Sequence, residues 1–126
     1  MTPEQRAQQF WSVLVFAARE QKLISYSMLS QMTGFYERPG AVLYCIYCYC
    51  NQHHLPPLNA IVIDPITGQP GDECPGVLRD LPAHQARVFL HDWLDHPAPS
   101  EEIFRDAVRN EEALERAEAE YEALPC

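Results

Sequence analysis

Gly40-Ala-Val-Leu-Tyr-Cys-Ile-Tyr-Cys-Tyr-Cys-Asn-Gln-His-His54 is the least polar and most cysteine-rich stretch of the chain. Wound at about 100° per residue, its aliphatic and aromatic side chains cover nearly the whole circumference, which predicts a helix enclosed on all sides. Residues 37–40 start that helix, with Pro39 tolerated in the first turn, and Leu55-Pro-Pro57 stops it. Just upstream, Ser25 caps a two-turn helix over residues 26–32 that buries Leu29 and one of Met28 or Met32. Thr33-Gly34 ends it, glycine being the usual residue just past a helix C-terminus. Downstream, residues 58–64 (Leu-Asn-Ala-Ile-Val-Ile-Asp) are rich in β-formers, and Asp64-Pro-Ile-Thr-Gly68 carries strong turn chemistry. Residues 69–76 then read as the tip and return of a hairpin, followed by an irregular loop.

Helix, turn, helix, strand is the order in which a winged-helix unit is built. Around it, Thr2, Pro3 and Gln5 form a capping-box start for an N-terminal helix running to about Gln21. Ala7, Phe10, Trp11, Leu14, Ala17 and Ala18 make its buried stripe. Asp80 caps a helix over residues 81–94 that buries Val88, Phe89 and Trp93. Asp95-His-Pro-Ala-Pro99 is the clearest linker, dividing a body (1–94) from a C-terminal segment (95–126). In that segment Ser100 caps a long helix reaching about Leu124. Ile103, Ala107, Asn110, Leu114, Ala117, Tyr121 and Leu124 recur along it in steps of four and three, the seam spacing of a coiled coil. Such a seam docks the helix on the body or joins two copies in a homodimer. The expected fold is α+β and mostly helical: a winged-helix-like core, a small β-hairpin wing and an acidic C-terminal helix.

The chain has 126 residues, 47% of them apolar, enough for one domain with a buried core. No apolar run reaches the ~18 residues of a membrane span. The polar start, followed by an apolar run without a small-residue cleavage site, predicts no signal peptide. Five cysteines, an odd number, then read as reduced thiols in the cytoplasm. Net charge is −9 but unevenly placed: residues 95–126 hold ten acids against three arginines (−7), and residues 1–94 hold eight against six bases (−2). Nucleic-acid binding draws most of its affinity from Lys and Arg neutralising phosphates, and this chain offers few.

Side chains that could carry chemistry point away from catalysis. Cys45, Cys48, Cys50, His53 and His54 are zinc-ligand types, but on a helix Cys45 and Cys48 share a face while Cys50 and His54 turn nearly opposite. No glycine makes a knuckle and no second CxxC follows, so the thiols read as packing material, and no metal or other cofactor is expected. Cys74 sits beside Glu73, which would raise its pKa, and Cys126 is terminal. Glu101-Glu102 and Glu111-Glu112 belong to a solvated helix, whereas general acid–base work needs desolvated carboxylates.

Ile24-Ser-Tyr-Ser-Met-Leu-Ser-Gln-Met-Thr-Gly34, Arg38-Pro-Gly-Ala-Val42, Leu55-Pro-Pro-Leu58 and Ile61-Val-Ile-Asp-Pro-Ile-Thr-Gly68 together resemble the winged-helix C-terminal domain of the alkylguanine-DNA alkyltransferases. The resemblance implies that fold but not that activity. Where the family has its Pro-Cys-His-Arg active site this chain has Asn59-Ala-Ile-Val, so the alkyl-accepting cysteine is missing. The family's DNA contacts include an arginine for which Arg38 is the match, and Arg38 is the sole Lys or Arg between Leu23 and Gly71. Leu-Pro-Pro-Leu, Thr-Gly-x-Pro-Gly and Val88-Phe-Leu-His-Asp-Trp93 also resemble a group of small uncharacterised bacterial proteins, which brings no activity.

The expected function is a non-catalytic interaction module for a protein partner, a regulator that blocks a nucleic-acid-associated protein through its acidic helix. The residues that would carry it are Glu101, Glu102, Asp106, Glu111, Glu112, Glu115 and Glu118. The rival is a weak DNA-binding module using Tyr36, Arg38 and the wing, and the third reading is a small zinc-binding protein.

Overall fold

The computed structural model describes residues 1–71 and 75–123; Cys74, Leu124 and Cys126 lie outside them. Helix α1 (Pro3–Arg19) opens with the expected capping box: the Thr2 hydroxyl accepts from the Gln5 N–H, and the Gln5 side chain accepts from the Thr2 N–H. Its buried stripe is Ala7, Phe10, Trp11, Leu14, Ala17 and Ala18, as the spacing requires. Strand β1 (Ile24–Ser25) leads into α2 (Tyr26–Thr33), capped by the Ser25 hydroxyl accepting from the Met28 N–H at 3.2 Å and ended by Gly34 in the left-handed region. Only Leu29 of α2 is buried; Met28 and Met32, one of which was expected inside, are both half exposed, because two turns present one position to the core.

Helix α3 (Gly40–Gln52) is the enclosed centre, burying Val42, Leu43, Cys45, Ile46, Cys48 and Cys50. The segment after it departs from the expected strand. Leu58–Ile61 forms a buried 3-10 turn, and only β2 (Val62–Ile63) is extended. It pairs in parallel with β1, Ile24 opposite Val62 and Ser25 opposite Ile63.

Of the expected hairpin wing, residues 72–74 lie outside the described residues; among the described residues β2 pairs with β1 in parallel and has no antiparallel partner. The turn itself closes, with the Gly68 N–H on the Asp64 carbonyl (2.7 Å) and the Asp64 N–H on that of Gln69 (2.9 Å). Beyond it Pro70 offers no N–H to a ladder, and the Gly71 N–H is donated to the Tyr26 hydroxyl (2.7 Å), which draws the chain toward α2.

Helix α4 (Pro75–Leu78) and helix α5 (Leu81–Leu90) follow. The helix expected over residues 81–94 stops at Leu90; His91 is extended and Trp93–Asp95 is a 3-10 turn. The break lets the Trp93 indole fold back under α5, its N–H donating to the Val88 carbonyl at 2.8 Å. Trp93 packs edge-on against Trp11 (5.7 Å between centroids), and Trp11 also meets Tyr49 (5.5 Å) and Phe104 (6.3 Å). Those aromatic contacts tie α1, α3 and the C-terminal segment into one core.

Helix α6 (Glu101–Ala123) is the acidic C-terminal helix, and it packs along α3 and α1. The stripe that docks it is Phe104, Ala107 and Val108, not the seam read from the sequence. Ala107 is common to both, but Ile103, Leu114 and Tyr121 remain 45%, 54% and 77% exposed. The molecule is thus α+β and mostly helical, with one minimal parallel strand pair.

Candidate functional site

The seven acids of α6 expected to carry the contact fall into two groups. Glu101 is tied to the body: its carboxylate accepts from Arg105 at 2.6 Å and from the Thr2 hydroxyl at 3.2 Å. Glu111 accepts from the Asn51 amide at 3.5 Å, and Glu115 from the Tyr44 hydroxyl at 3.4 Å, so both lie against α3. Glu102, Asp106, Glu112 and Glu118 are exposed, and among the described residues none of them has an ion-pair partner. From residue 112 to 122 every position is exposed. Eleven residues at about 1.5 Å each make a rod of roughly 16 Å, which the body touches near its start, where the Tyr44 hydroxyl reaches Glu115. It carries Leu114, Ala117 and Tyr121 on one stripe, with Arg116 its sole base.

Tyr36 and Arg38 are exposed on the connection between α2 and α3. They line different depressions, Arg38 beside Tyr26 and Gly40, Tyr36 beside Arg6 and Phe35. The structure does not join them into one surface pocket.

The thiols of α3 are core groups. Cys45, Cys48 and Cys50 are each buried, and desolvation pushes each thiol up to about 12. Cys45 Sγ donates to the Ala41 carbonyl. Tyr44 is likewise raised, first by burial and then by Cys48 and the acids of α6. His53 and His54 are exposed, and among the described residues no three His, Cys, Asp or Glu side chains meet in a metal-holding group. Residues 59–62, where the alkyltransferase resemblance would put a reactive cysteine, are buried, and among the described residues the Asn59 Oδ1 has no hydrogen-bond partner.

A further group escaped the sequence. Helix α3 ends with the His53 N–H on the Tyr49 carbonyl and the Leu55 N–H on that of Cys50, which forces His54 to φ 56°, in the left-handed region. Facing it, α5 presents His84 and Arg87 one turn apart, the Arg87 guanidinium donating to His84 Nδ1 at 2.6 Å. Between them, over Leu55, Pro56, Pro57 and Val77, lies an open cavity of about 420 Å³. Glycine would have signalled the tight helix end; histidine there gives no such signal, and His84 and Arg87 look like ordinary surface positions of a short helix.

No protein-family model matches the chain, and comparison with curated proteins and with solved structures returns no match. Among the described residues no helix is long and apolar enough to cross a membrane.

Proposed function

We propose that the chain is a non-catalytic interaction module whose contact for a protein partner is the free half of α6, residues 112–122. The observation that carries this reading is a helix anchored at one end by Phe104 and Ala107 and exposed at the other, where Leu114 and Tyr121 stand among Glu112, Glu118, Glu120 and Glu122, while Glu115 accepts from Tyr44 of α3. An apolar stripe flanked by carboxylates fits a groove with a basic rim. A protein whose nucleic-acid-binding surface is basic offers such a groove, and occupying it would block that surface.

DNA binding through Tyr36 and Arg38 has less support: α6 lies along α3, setting Glu111 and Glu115 beside the helix that would otherwise enter a groove. A homodimer through the same stripe would bring two strongly acidic rods together.

Affinity capture from native-host extract, with the full chain as bait, tests the proposal. Deleting residues 97–126 would strip Phe104 from the core and confuse unfolding with lost contact, so substitutions are needed. Leu114→Ser/Tyr121→Ser and, separately, Glu112→Lys/Glu118→Lys are expected to keep the wild-type circular dichroism and lose the captured protein. Capture unchanged in both folded variants would refute the reading, and DNA retained with Arg38-dependent affinity would favour the rival.

A further inference from the structure

The cavity between the end of α3 and α5 has no part in the contact just described. Its volume, about 420 Å³, lies in the roughly 300–1,000 Å³ range of small-molecule sites. We propose that it binds a small organic anion, with a carboxylate or phosphate group on Arg87 and His84 and an apolar body along Tyr47, Leu55 and Pro57.

Charge is the first reason. The chain has 18 acids, yet among the described residues none pairs with Arg87, and those that line the cavity include Arg87, His84 and His54 but no carboxylate. Glu111 accepts from the amide of Asn51, which lines the cavity.

Preorganisation is the second. An arginine only donates, so at 2.6 Å its partner His84 Nδ1 must accept, which places the imidazole proton on Nε2 as a further donor. The same contact orients the guanidinium and leaves its other N–H groups for a two-pronged grip on an oxyanion. Helix α5 is itself pinned: the Gln85 amide donates to the Ala60 carbonyl at 3.1 Å, and the Ala83 and His84 N–H groups donate to Asp80.

Backbone strain is the third. His54 holds a left-handed conformation that glycine or asparagine would adopt more readily, and such residues gather at ligand sites.

A purely structural role for Arg87, complementing the carbonyl end of α5, is the competing account. Titration of the ¹⁵N-labelled full chain with phenyl phosphate, benzoate and benzylamine separates the two. The expected result is saturable shifts from at least one anion, confined to residues 47–57 and 84–87, and none from the cation; the two anion arms tell phosphate from carboxylate. Arg87→Gln should weaken binding by roughly tenfold or more, and Arg87→Lys should recover part of the loss. If Arg87→Gln does not fold, His84→Ala at a partly exposed site gives the same comparison. No saturable shift from either anion, benzylamine binding as well as they do, or unchanged affinity in the folded variants would overturn the proposal.

Discussion

The thiols of Cys45, Cys48 and Cys50 illustrate how burial, the largest influence on each, decides reactivity. Each is raised to about 12 by desolvation, so at neutral pH the thiolate that would attack a reagent is nearly absent. Mapped iodoacetamide labelling is expected to leave all three unmodified in the folded chain and to modify them in urea; labelling at native rates would contradict their placement.

His91 behaves differently. Burial first, and then His96 stacked at 5.0 Å, lowers its pKa, while Asp92 and Asp95 pull it back only in part. A histidine whose folded pKa is depressed resists protonation that the unfolded chain accepts. Its stabilisation is complete above the ordinary value of about 6.5 and declines as pH falls through it. Urea midpoints measured from pH 7.5 down to 5 should fall, and His91→Phe, which keeps the stacking, should flatten that slope.

At His54 the strain has a direct test. Replacing it with glycine removes the left-handed penalty at an exposed site and is expected to add about 0.5–1 kcal/mol by chemical denaturation.

Among the elements, α6 decides the account. Phe104 is fully buried, with its ring 5.8 Å from Tyr49, so Phe104→Ala should cost about 3–5 kcal/mol. Tyr121→Ala, far along the bare half, should change stability by less than about 0.5 kcal/mol. Urea denaturation of the two variants checks both figures, and equal losses would mean that the helix docks along its whole length.

The helices before it were legible because their signals are local. Thr2 and Gln5, Ser25, Gly34 and the stripe of α1 fix ends and faces without reference to the rest of the chain. The docking face of α6 was not legible. Ile103 and Phe104 are adjacent, both stripes run through Ala107, and helical spacing admits either; what selects Phe104 is the aromatic group of Trp11 and Tyr49, assembled from other elements. The expected wing was legible in its turn alone. The turn at residues 64–68 closes as its chemistry requires, and after it the Tyr26 hydroxyl, distant in sequence, holds the Gly71 N–H.

Across the whole molecule, charge and packing divide the work unevenly. The −7 of residues 95–126 was read correctly from composition, but it is not a detached tail: its first turns complete the core around Trp11, and its far turns leave the body. The cavity under His54 was invisible to sequence because the α3 end and α5 that build it meet only in the fold.

The division of α6 is the point on which the functional reading rests, and amide hydrogen exchange along it is the direct measurement. Residues 105–111 should exchange as slowly as α3, and residues 113–122 much faster, approaching the rates of an unsupported helix. Uniform protection to residue 122, or uniform exposure from residue 104, would contradict it.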